Sequence, residues 1–259
     1  MPSPAPHLND LLKQLRLSGI SDTLDVRNKQ AIHEKLAYTD FLSLLLSDEI
    51  ARRDTNRVAW RVRRACLAGT NTLDSFDFGF NPTINHAQVT DLATCRFVGE
   101  AANVLIVGPP GTGKTHIAQA LGHCAIRQRA NVTFTTQSKL LAHIQQARAT
   151  GTHTKRMRAL ARVELLIVDD FALKPIAPPL DEDFHELINE RYQHHATILT
   201  SNLDFEEWPQ AFANRLLGAA TIDRLQHDAY RLTLDGTSYR RPRPDPVMKQ
   251  PTPKTRSSR

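Results

Sequence analysis

The amino-acid sequence predicts an α/β protein in which a parallel sheet lies between helices and follows a small all-helical N-terminal domain. Three observations predict this fold class. Short apolar runs alternate with helical segments along the second part of the chain, as in parallel sheets. A glycine-rich loop follows the first of these runs. Before them, the chain shows helical periodicity and no strand pattern. We therefore predict a helical domain over residues 1–70, an α/β domain with its linker over 71–240, and a tail over 241–259.

Leucines at helical spacing begin the N-terminal domain, namely Leu8, Leu11, Leu12 and Leu15. Ser18-Gly19 is expected to end this first helix, and a second helix is expected to begin near Ser21-Asp22. Thr39-Asp40 offers an N-cap for a long third helix that runs to about Cys66.

The second half of the third helix is basic. Its arginines Arg53, Arg57, Arg61 and Arg64 fall at i, i+4, i+8 and i+11, so they share one helix face. At 1.5 Å per residue this stripe is about 16 Å long, enough to follow several phosphates of a duplex strand. A solvated helix face is the alternative, but Asp54 is the one acid among these arginines. The pattern favours contact with DNA.

The C-terminal tail carries the net charge of the chain. Between Arg240 and Arg259 there are seven Lys or Arg residues and one Asp, which equals the formal net charge of +6 for all 259 residues. The tail also has five prolines and few apolar residues, a composition typical of disorder. Contact with nucleic acid and simple solvation are both open for it.

Composition narrows the class of protein. A hydrophobic fraction of 41% supports a packed core, and no apolar run approaches the ~20 residues of a membrane span. The N-terminus does not resemble a secretory signal. Three dispersed cysteines indicate a reducing compartment, so we expect a cytoplasmic protein without membrane contact. The adjacent His194-His195 pair has no metal-ligand spacing, and we interpret it as surface.

After a connecting region at 71–98, strands and helices alternate. The predicted strands are Val104–Val107, Val132–Thr136, Leu165–Asp169 and Ala196–Thr200. The predicted helices are Thr115–Arg129, a helix capped by Ser138 that runs to Arg148, Asp181–Tyr192, Pro209–Leu217 and Thr221–Leu225. The stretch at 148–162 is interpreted as polar and basic. Leu232–Tyr239 predicts a hairpin with an Asp235-Gly236 turn.

The glycine-rich loop has the G-x-x-x-x-G-K-T spacing of a phosphate-binding loop. Its residues are Gly108, Pro109, Pro110, Gly111, Thr112, Gly113, Lys114 and Thr115. In such a loop the backbone N–H groups surround phosphates, Lys114 adds a point charge, and the Thr115 hydroxyl binds Mg²⁺. The predicted strand before it and helix after it are the context that this motif requires.

Two later strands end in polar residues. Asp169 and Asp170 follow an apolar run, and Asn202 follows the next strand. The carboxyl ends of parallel strands share one sheet edge, where ligands bind. We expect Asp169 to hold Mg²⁺, Asp170 to take a proton from the attacking water, and Asn202 to orient that water. The sequence leaves open whether Arg96-Phe97-Val98 contacts the adenine base of a bound nucleotide.

The order of these motifs resembles the AAA+ ATPases, nearest the initiator and helicase-loader (DnaA/DnaC-like) group. Further motifs resemble the IstB-like ATP-binding proteins, the helper ATPases of a bacterial insertion-sequence family. They are Arg191-Tyr192, Thr200–Asn202, Glu207-Trp208, Ala219–His227 and Gly236–Arg240. The resemblance covers residues 8–241.

The resemblance implies ATP and Mg as cofactors, and partners of three kinds: duplex DNA, the transposase of the same element, and other copies of the chain in a ring or helical homo-oligomer. Arg224 matches the arginine finger that reaches the γ-phosphate of a neighbouring subunit, with Arg215 as a second candidate. Arg240 matches the second sensor on the subunit's own nucleotide. Most AAA+ proteins have Glu at the position of Asp170, so hydrolysis is expected to be slow.

The resemblance implies that the protein is an ATP-dependent helper of DNA transposition. Three alternatives to this function remain. A DnaC-like replicative helicase loader shares the ATPase core and would prefer single strands. A small-molecule kinase would need an acceptor pocket and a lid, for which the polar 148–162 stretch is poorly suited. A non-catalytic DNA scaffold would bind DNA without ATP turnover.

Overall fold

A five-stranded parallel sheet forms the centre of the structure, a computed structural model that describes residues 6–81, 84–236 and 238–239. The strands lie in the order β2-β3-β4-β1-β5, and each neighbouring pair is parallel. Their bounds are β1 Val104–Val107, β2 Val132–Thr136, β3 Leu165–Phe171, β4 Ala196–Ser201 and β5 Tyr230–Thr233. The predicted parallel sheet is confirmed, and it gains one strand over the prediction.

Alternating strand residues face two separate apolar cores. Val104 and Ile106 pack into one core, whereas Leu105 and Val107 pack into the other. All four are fully buried, as expected for a strand covered on both faces. The continuous apolar runs that predicted these strands are thus explained by helices on both sides of the sheet.

Helices cover the two faces of the sheet. The first core lies under α4 His86–Ala93, α5 Arg96–Gly99 and α6 Lys114–Arg127. The second core lies under α7 Gln137–Ala149, α8 His153–Ala161, α9 Leu180–Arg191 and α10 Arg215–Gln226. Short 3₁₀ turns span Leu73–Ser75 and Trp208–Ala211. The connecting region before β1 therefore contains two short α-helices, α4 and α5.

The first three helices of the chain have a small apolar cluster of their own. They are α1 Pro6–Gln14, α2 Ser18–Glu34 and α3 Tyr38–Arg64. Leu12, Ile20 and Leu45 form the centre of the cluster. The N-terminal helices and the long basic third helix were predicted, but the expected start of the second helix was wrong by about one turn.

The reason lies in a contact between α2 and α3. Glu49 of α3 is buried, and its Oε2 accepts hydrogen bonds from the N–H groups of Gly19 and Ile20 at 2.7 and 3.3 Å. A carboxylate from another helix thus caps the start of α2. Gly19 lies inside α2, where this helix approaches α3 closely. A Cβ there would lie 2.7 Å from the Glu49 Cα atom, so the position requires glycine. It is a packing glycine and does not end a helix.

The chain between α3 and the sheet is held by the helix that follows the phosphate loop. The Gln119 Oε1 atom accepts hydrogen bonds from the Ala68 N–H at 2.9 Å and the Asn71 side-chain amide at 3.3 Å. One turn later, His123 Nε2 lies 2.8 Å from the Ala68 carbonyl oxygen. Both polar side chains of α6 are buried. They attach the N-terminal helices to the helix that carries Lys114.

Helix α8 was missed in the sequence because its buried face is short. Only Met157, Leu160 and Ala161 of this helix are buried, and the other positions are largely basic or polar. The cap of α7 was also assigned wrongly, since Thr136 and not Ser138 accepts the Lys139 N–H, at 3.3 Å.

The end of α8 is fixed by a buried arginine. Arg191 Nη1 donates to the carbonyl oxygens of Leu160 and Val163 at 2.8 and 2.7 Å, and its Nε donates to Thr197 Oγ1 at 3.0 Å. Its Nη2 donates to the Ala196 carbonyl. Burial without a carboxylate partner among the described residues lowers the pKa of Arg191 to about 9. This side chain joins α8, the start of β3 and β4.

Two expectations near the C-terminus were wrong. The two helices expected over 209–225 are one 3₁₀ turn and one helix, α10, capped by the Asn214 side chain. The expected hairpin is absent from the described residues, where β5 pairs in parallel with β1. Gly236 does turn the chain, with a φ of +122°, and the Tyr239 N–H then donates to the Gly111 carbonyl at 3.0 Å. Thr237 lies outside the described residues, as does the 241–259 tail.

We predict that Gln119→Leu destabilises the protein by about 1–3 kcal/mol, because it leaves the Ala68 N–H without its acceptor. Denaturant unfolding followed by circular dichroism measures the change. Gln146→Leu is the matched control, since Gln146 is an exposed residue of α7. Equal stability of the two variants would contradict a role for Gln119 in holding the linker.

Candidate functional site

The predicted phosphate-binding loop connects the end of β1 to the start of α6. Its glycines are required by close contacts as well as by backbone geometry. Gly108 has a φ of +148°, and a Cβ there would lie 2.0 Å from the Leu234 carbonyl oxygen. Gly111 has a φ of +82°, and a Cβ there would lie 2.0 Å from Ser238 Oγ. The chain after β5 therefore crosses directly over the loop, which leaves no room for larger residues.

Lys114 is buried against the loop that precedes it. Its Nζ donates to the carbonyl oxygens of Gly108 and Pro109, at 2.7 and 2.8 Å. The Thr112 hydroxyl donates to the same Pro109 carbonyl at 2.9 Å. The ammonium is thus held within the curl of the loop, where its charge faces any anion that the loop N–H groups bind.

A buried carboxylate lies next to the last residue of the loop. Asp169 accepts the Thr115 hydroxyl at 2.9 Å on Oδ1 and 3.1 Å on Oδ2, and it also accepts the Thr200 hydroxyl. Burial raises the pKa of Asp169 above its ordinary value, the two hydroxyl hydrogen bonds oppose this rise, and the charge of Asp170 adds to it. Thr115 and Asp169, predicted as a pair, lie in direct contact.

Hard oxygen donors of this kind fit a magnesium ion. Mg²⁺ is usually bound by one or two protein oxygens together with substrate phosphates and water. Thr115 Oγ1 and the Asp169 carboxylate are such oxygens, and the loop beside them is the predicted phosphate site. A cation there would also remove the cost of the desolvated carboxylate. Among the described residues, no cluster of three or more His, Cys, Asp or Glu side chains suggests another metal site.

Asp170 is directed to the site by an irregularity at the end of β3. The pairing of β3 with β4 shifts register between Val168 and Phe171, so that the two aspartates lie on a bulge. Asp170 has a φ of +55°, and its N–H donates to Thr200 Oγ1 at 3.2 Å. Aspartate adopts this left-handed backbone more readily than most other residues do. Asp170 is exposed, whereas Asp169 is buried.

One cavity of about 360 Å³ contains the loop, Asp170 and Asn202. It therefore brings together residues from distant parts of the chain, between Asn71 and Tyr239. The cavity also has aromatic walls from Phe76, Phe80 and Tyr239. The rings of Phe80 and Tyr239 meet edge to face at 4.8 Å between centroids.

These aromatic residues were not predicted as site residues. Phe76 and Phe80 lie in the first part of the connecting region at 71–98, among turn-forming residues. Phe80 and Tyr239 are 41% and 64% exposed, so both rings are available to a ligand. Exposed aromatics among turn formers are the signal that could have found them. Arg96-Phe97-Val98, left open for the base, does not line the cavity, since Phe97 is buried in the first core.

The three arginines expected to act on phosphates differ in location. Arg224 lies half-buried on α10, its Nη1 donates to the Ala220 carbonyl at 2.9 Å, and it does not line the cavity of its own chain. Arg215 is exposed at the first position of α10. Arg240 lies outside the described residues. Neither Arg224 nor Arg215 therefore lines the cavity of its own chain.

The four arginines of the α3 stripe also differ from one another. Arg53 Nε is paired with Glu49 at 2.7 Å, and Arg57 Nη1 is paired with Asp54 at 2.9 Å. Arg61 and Arg64 instead line a smaller cavity at the end of the helix.

None of the described helices is long and apolar enough to cross a membrane.

Comparison with known proteins gives consistent results. Residues 10–244 match the protein family described as IstB-like ATP binding protein. An insertion-sequence ATP-binding protein of Mycobacterium tuberculosis is 37% identical over 236 residues, covering 91% of this chain and 94% of that protein. The ATP-binding protein of insertion sequence IS21 from Pseudomonas aeruginosa is 34% identical over 233 residues, covering 90% and 88%.

Solved structures show a similar fold at low identity. AMPPCP-bound DnaA from Aquifex aeolicus superposes with a TM-score of 0.54 at 22% identity, covering 65% of this chain and 51% of that chain. The chain thus spans about half the length of that protein. The DnaC helicase loader superposes with a TM-score of 0.51 at 23% identity, covering 64% and 97%. At these identities the likeness concerns the fold alone.

We predict that Asp169→Asn raises the melting temperature in metal-free and nucleotide-free buffer at neutral pH. The variant removes a desolvated charge, and an amide oxygen can still accept both hydroxyls. The folded state of the wild type holds a proton on Asp169 more tightly than the unfolded state does. The wild type therefore loses stability as the pH rises from the unfolded to the folded pKa, and the advantage of the variant should shrink on acidification.

Thermal melts at several pH values measure this difference, with Asp204→Asn as the control because that carboxylate is exposed and lies outside the cavity. An Asp169→Asn protein that melts below the wild type at neutral pH would contradict the proposed cost of the buried charge.

Proposed function

Because the chain belongs to the IstB-like ATP-binding proteins and is an AAA+ ATPase, we propose that it is a helper of DNA transposition. It binds and slowly hydrolyses ATP, assembles on duplex DNA with little sequence preference, and recruits or stimulates a separate transposase in the bacterial cytoplasm. The observation that carries the ATPase part is the shared cavity, where the phosphate loop, Asp170 and Asn202 meet.

In the proposed reaction, the loop N–H groups and Lys114 hold the β- and γ-phosphates of ATP. Asn202 orients a water molecule against the γ-phosphorus, and the Asp170 carboxylate takes its proton. The bond from the γ-phosphorus to the bridging oxygen breaks, and ADP and phosphate leave. Asp170 reaches less far than the glutamate usual in AAA+ proteins, which suits slow turnover.

Magnesium would be held by Thr115 and Asp169, whose side chains are in contact. When bound, such an ion neutralises charge on the phosphates. The aromatic walls formed by Phe76, Phe80 and Tyr239 fit the remaining flat part of the nucleotide, its base.

Arg224 is proposed to complete the site of a neighbouring subunit. Support comes from its absence from the cavity of its own chain and from its position on α10, a helix of the outer layer. Homo-oligomers with a head-to-tail interface place different surfaces of two copies in contact, as such an arrangement requires. Each active site would then depend on two copies of the chain.

Duplex DNA is the proposed platform of assembly, and the basic end of α3 is its proposed contact. The insertion-sequence relatives support this context. A DnaC-like helicase loader remains the alternative, and it differs by its partner and by a preference for single strands. The structural likeness to the DnaC helicase loader concerns the fold alone and does not favour that function.

We predict that Lys114→Ala abolishes ATP binding, because the loop loses its point charge. Asp170→Asn should keep nucleotide binding and lose turnover, because the proton acceptor is removed. A fluorescent ATP analogue measures binding, and phosphate release measures turnover. Asp204→Asn serves as the control for a surface aspartate outside this cavity. Wild-type turnover in Lys114→Ala would show that the site is assigned wrongly.

The trans role of Arg224 gives a separate prediction. Arg224→Ala protein should bind ATP yet lose turnover by about 10³–10⁵-fold, the range known for arginine fingers. Mixing it with Lys114→Ala protein should restore part of the activity, because Lys114→Ala subunits still supply Arg224 to neighbours that hold ATP.

Phosphate release at several mixing ratios tests this rescue, and light scattering checks that the two proteins co-assemble. A mixture of Arg215→Ala and Lys114→Ala proteins is the parallel test for the second candidate. Co-assembled mixtures of the Arg224 and Lys114 variants that stay inactive at every ratio would count against Arg224 as the finger.

A further inference from the structure

A second polar cavity lies at the opposite edge of the sheet from the phosphate loop. Its volume is about 290 Å³, and three elements meet around it. The end of α3 contributes Trp60, Arg61 and Arg64; the chain around the start of β2 contributes residues 130–133; the chain after α8 contributes Arg162. Because β2 begins here, the cavity is at the amino edge of the parallel sheet, away from the nucleotide.

The cavity is cationic. Arg61, Arg64 and Arg162 line it, and no carboxylate does so among the described residues. Within the same part of the chain, none of the three guanidinium groups takes part in an ion pair. Glu164, close to Arg162 in sequence, accepts the Asn131 N–H at 2.8 Å and does not line the cavity. Three positive charges therefore converge without a partner from the described chain.

The earlier arginines of α3 do not share this property. Arg52 is paired with Asp22 at 2.8 Å, Arg53 with Glu49 and Arg57 with Asp54. The Glu49 carboxylate also caps α2, so Arg53 balances a charge that the fold needs. The positive potential of the helix is thus concentrated in its last turns, next to the cavity.

The neutral lining of the cavity also suits an anion. Asn131 and Thr133 supply an amide and a hydroxyl, which can donate to phosphate oxygens. The Arg64 guanidinium lies over the Trp60 ring at 5.1 Å from its centroid, which restricts its orientation. Guanidinium groups bind phosphate through paired N–H donors, and a preordered group loses less entropy on binding.

We propose that this cavity binds a phosphodiester group of the duplex DNA backbone, so that the DNA contact extends from the end of α3 to Arg162. The proposal rests on the proposed function and sharpens it. A phosphate contact adds affinity without sequence information, consistent with little sequence preference. It also separates the DNA from the nucleotide, since the two anions bind at opposite edges of the sheet.

The test is the salt dependence of duplex binding by the full chain, followed by fluorescence anisotropy of a labelled duplex. Each lost phosphate contact should flatten the slope of log affinity against log salt by about 0.9. Between 50 and 200 mM salt, Arg162→Gln should therefore lose about 3.5-fold less affinity than the wild type does. The double variant Arg61→Gln/Arg64→Gln should show a larger effect.

Matched controls exist on the same helices. Arg63→Gln removes an exposed arginine of α3, and Arg158→Gln removes an exposed arginine of α8; neither residue lines the cavity. Both controls should keep nearly the wild-type slope. An unchanged slope in Arg162→Gln, or equal effects of all these variants, would overturn the cavity while leaving DNA binding intact. A wild type that does not bind duplex even at low salt would instead overturn the proposed function.

A local signal distinguishes the source of the phosphate. The chain has two tryptophans, of which Trp208 is fully buried and Trp60 is 51% exposed at the cavity. Adding duplex should change the tryptophan emission, and Trp60→Phe should remove that change. A response to millimolar inorganic phosphate without a response to duplex would overturn the DNA assignment in favour of a free-anion site.

Discussion

The hydrogen bonds to the buried Asp169 carboxylate are the constraint on which the site depends. They tie the end of β3 to Thr115 on one side and to Thr200 of β4 on the other. Three parts of the chain separated by dozens of residues are thereby held at one sheet edge. The cost is a desolvated charge, which a phosphate-bound cation would offset. The fold is therefore set up to be completed by its ligand, a common arrangement at functional sites.

The same region is connected to the N-terminal helices through α6. That helix begins in the phosphate loop with Lys114, and its buried face binds the linker through Gln119 and His123. His116, next to the loop, lies 2.8 Å from the Thr72 carbonyl oxygen. The chain that leads from α3 to the aromatic residues of the cavity is thus held by α6 at several points. Displacement of α6 would therefore move the linker as well.

The net positive charge along α3 depends on which arginines form ion pairs more than on how many arginines the helix contains. The helix looks uniformly basic in its second half, but the acids Asp22, Glu49 and Asp54 neutralise its first three arginines. One of these acids, Asp22, lies on α2, and the other two lie within one turn of their partners on α3. The unpaired charge that remains faces a polar cavity with Arg162. Electrostatic function in this protein thus depends on which residues are brought together.

The sequence by itself determined the parallel sheet, the phosphate loop and the acids that follow β3. Each depends on a local pattern: continuous apolar runs for strands buried on both faces, glycine spacing for a curled loop, and polar residues at strand ends. The domain boundaries at residues 70 and 240 and the roles of individual site residues stay predictions.

Only the tertiary structure decided the rest, because the relevant partners are distant in sequence. The start of α2 is set by Glu49 on another helix, and α8 is held by Arg191 from beyond β3. The position of β5 is decided by its parallel pairing with β1, and the turn residues Asp235-Gly236 do not predict this pairing. The bulge that directs Asp170 and the aromatic walls of the cavity arise in the same way. Local propensity fixes elements, whereas burial and long-range hydrogen bonds fix which residues meet.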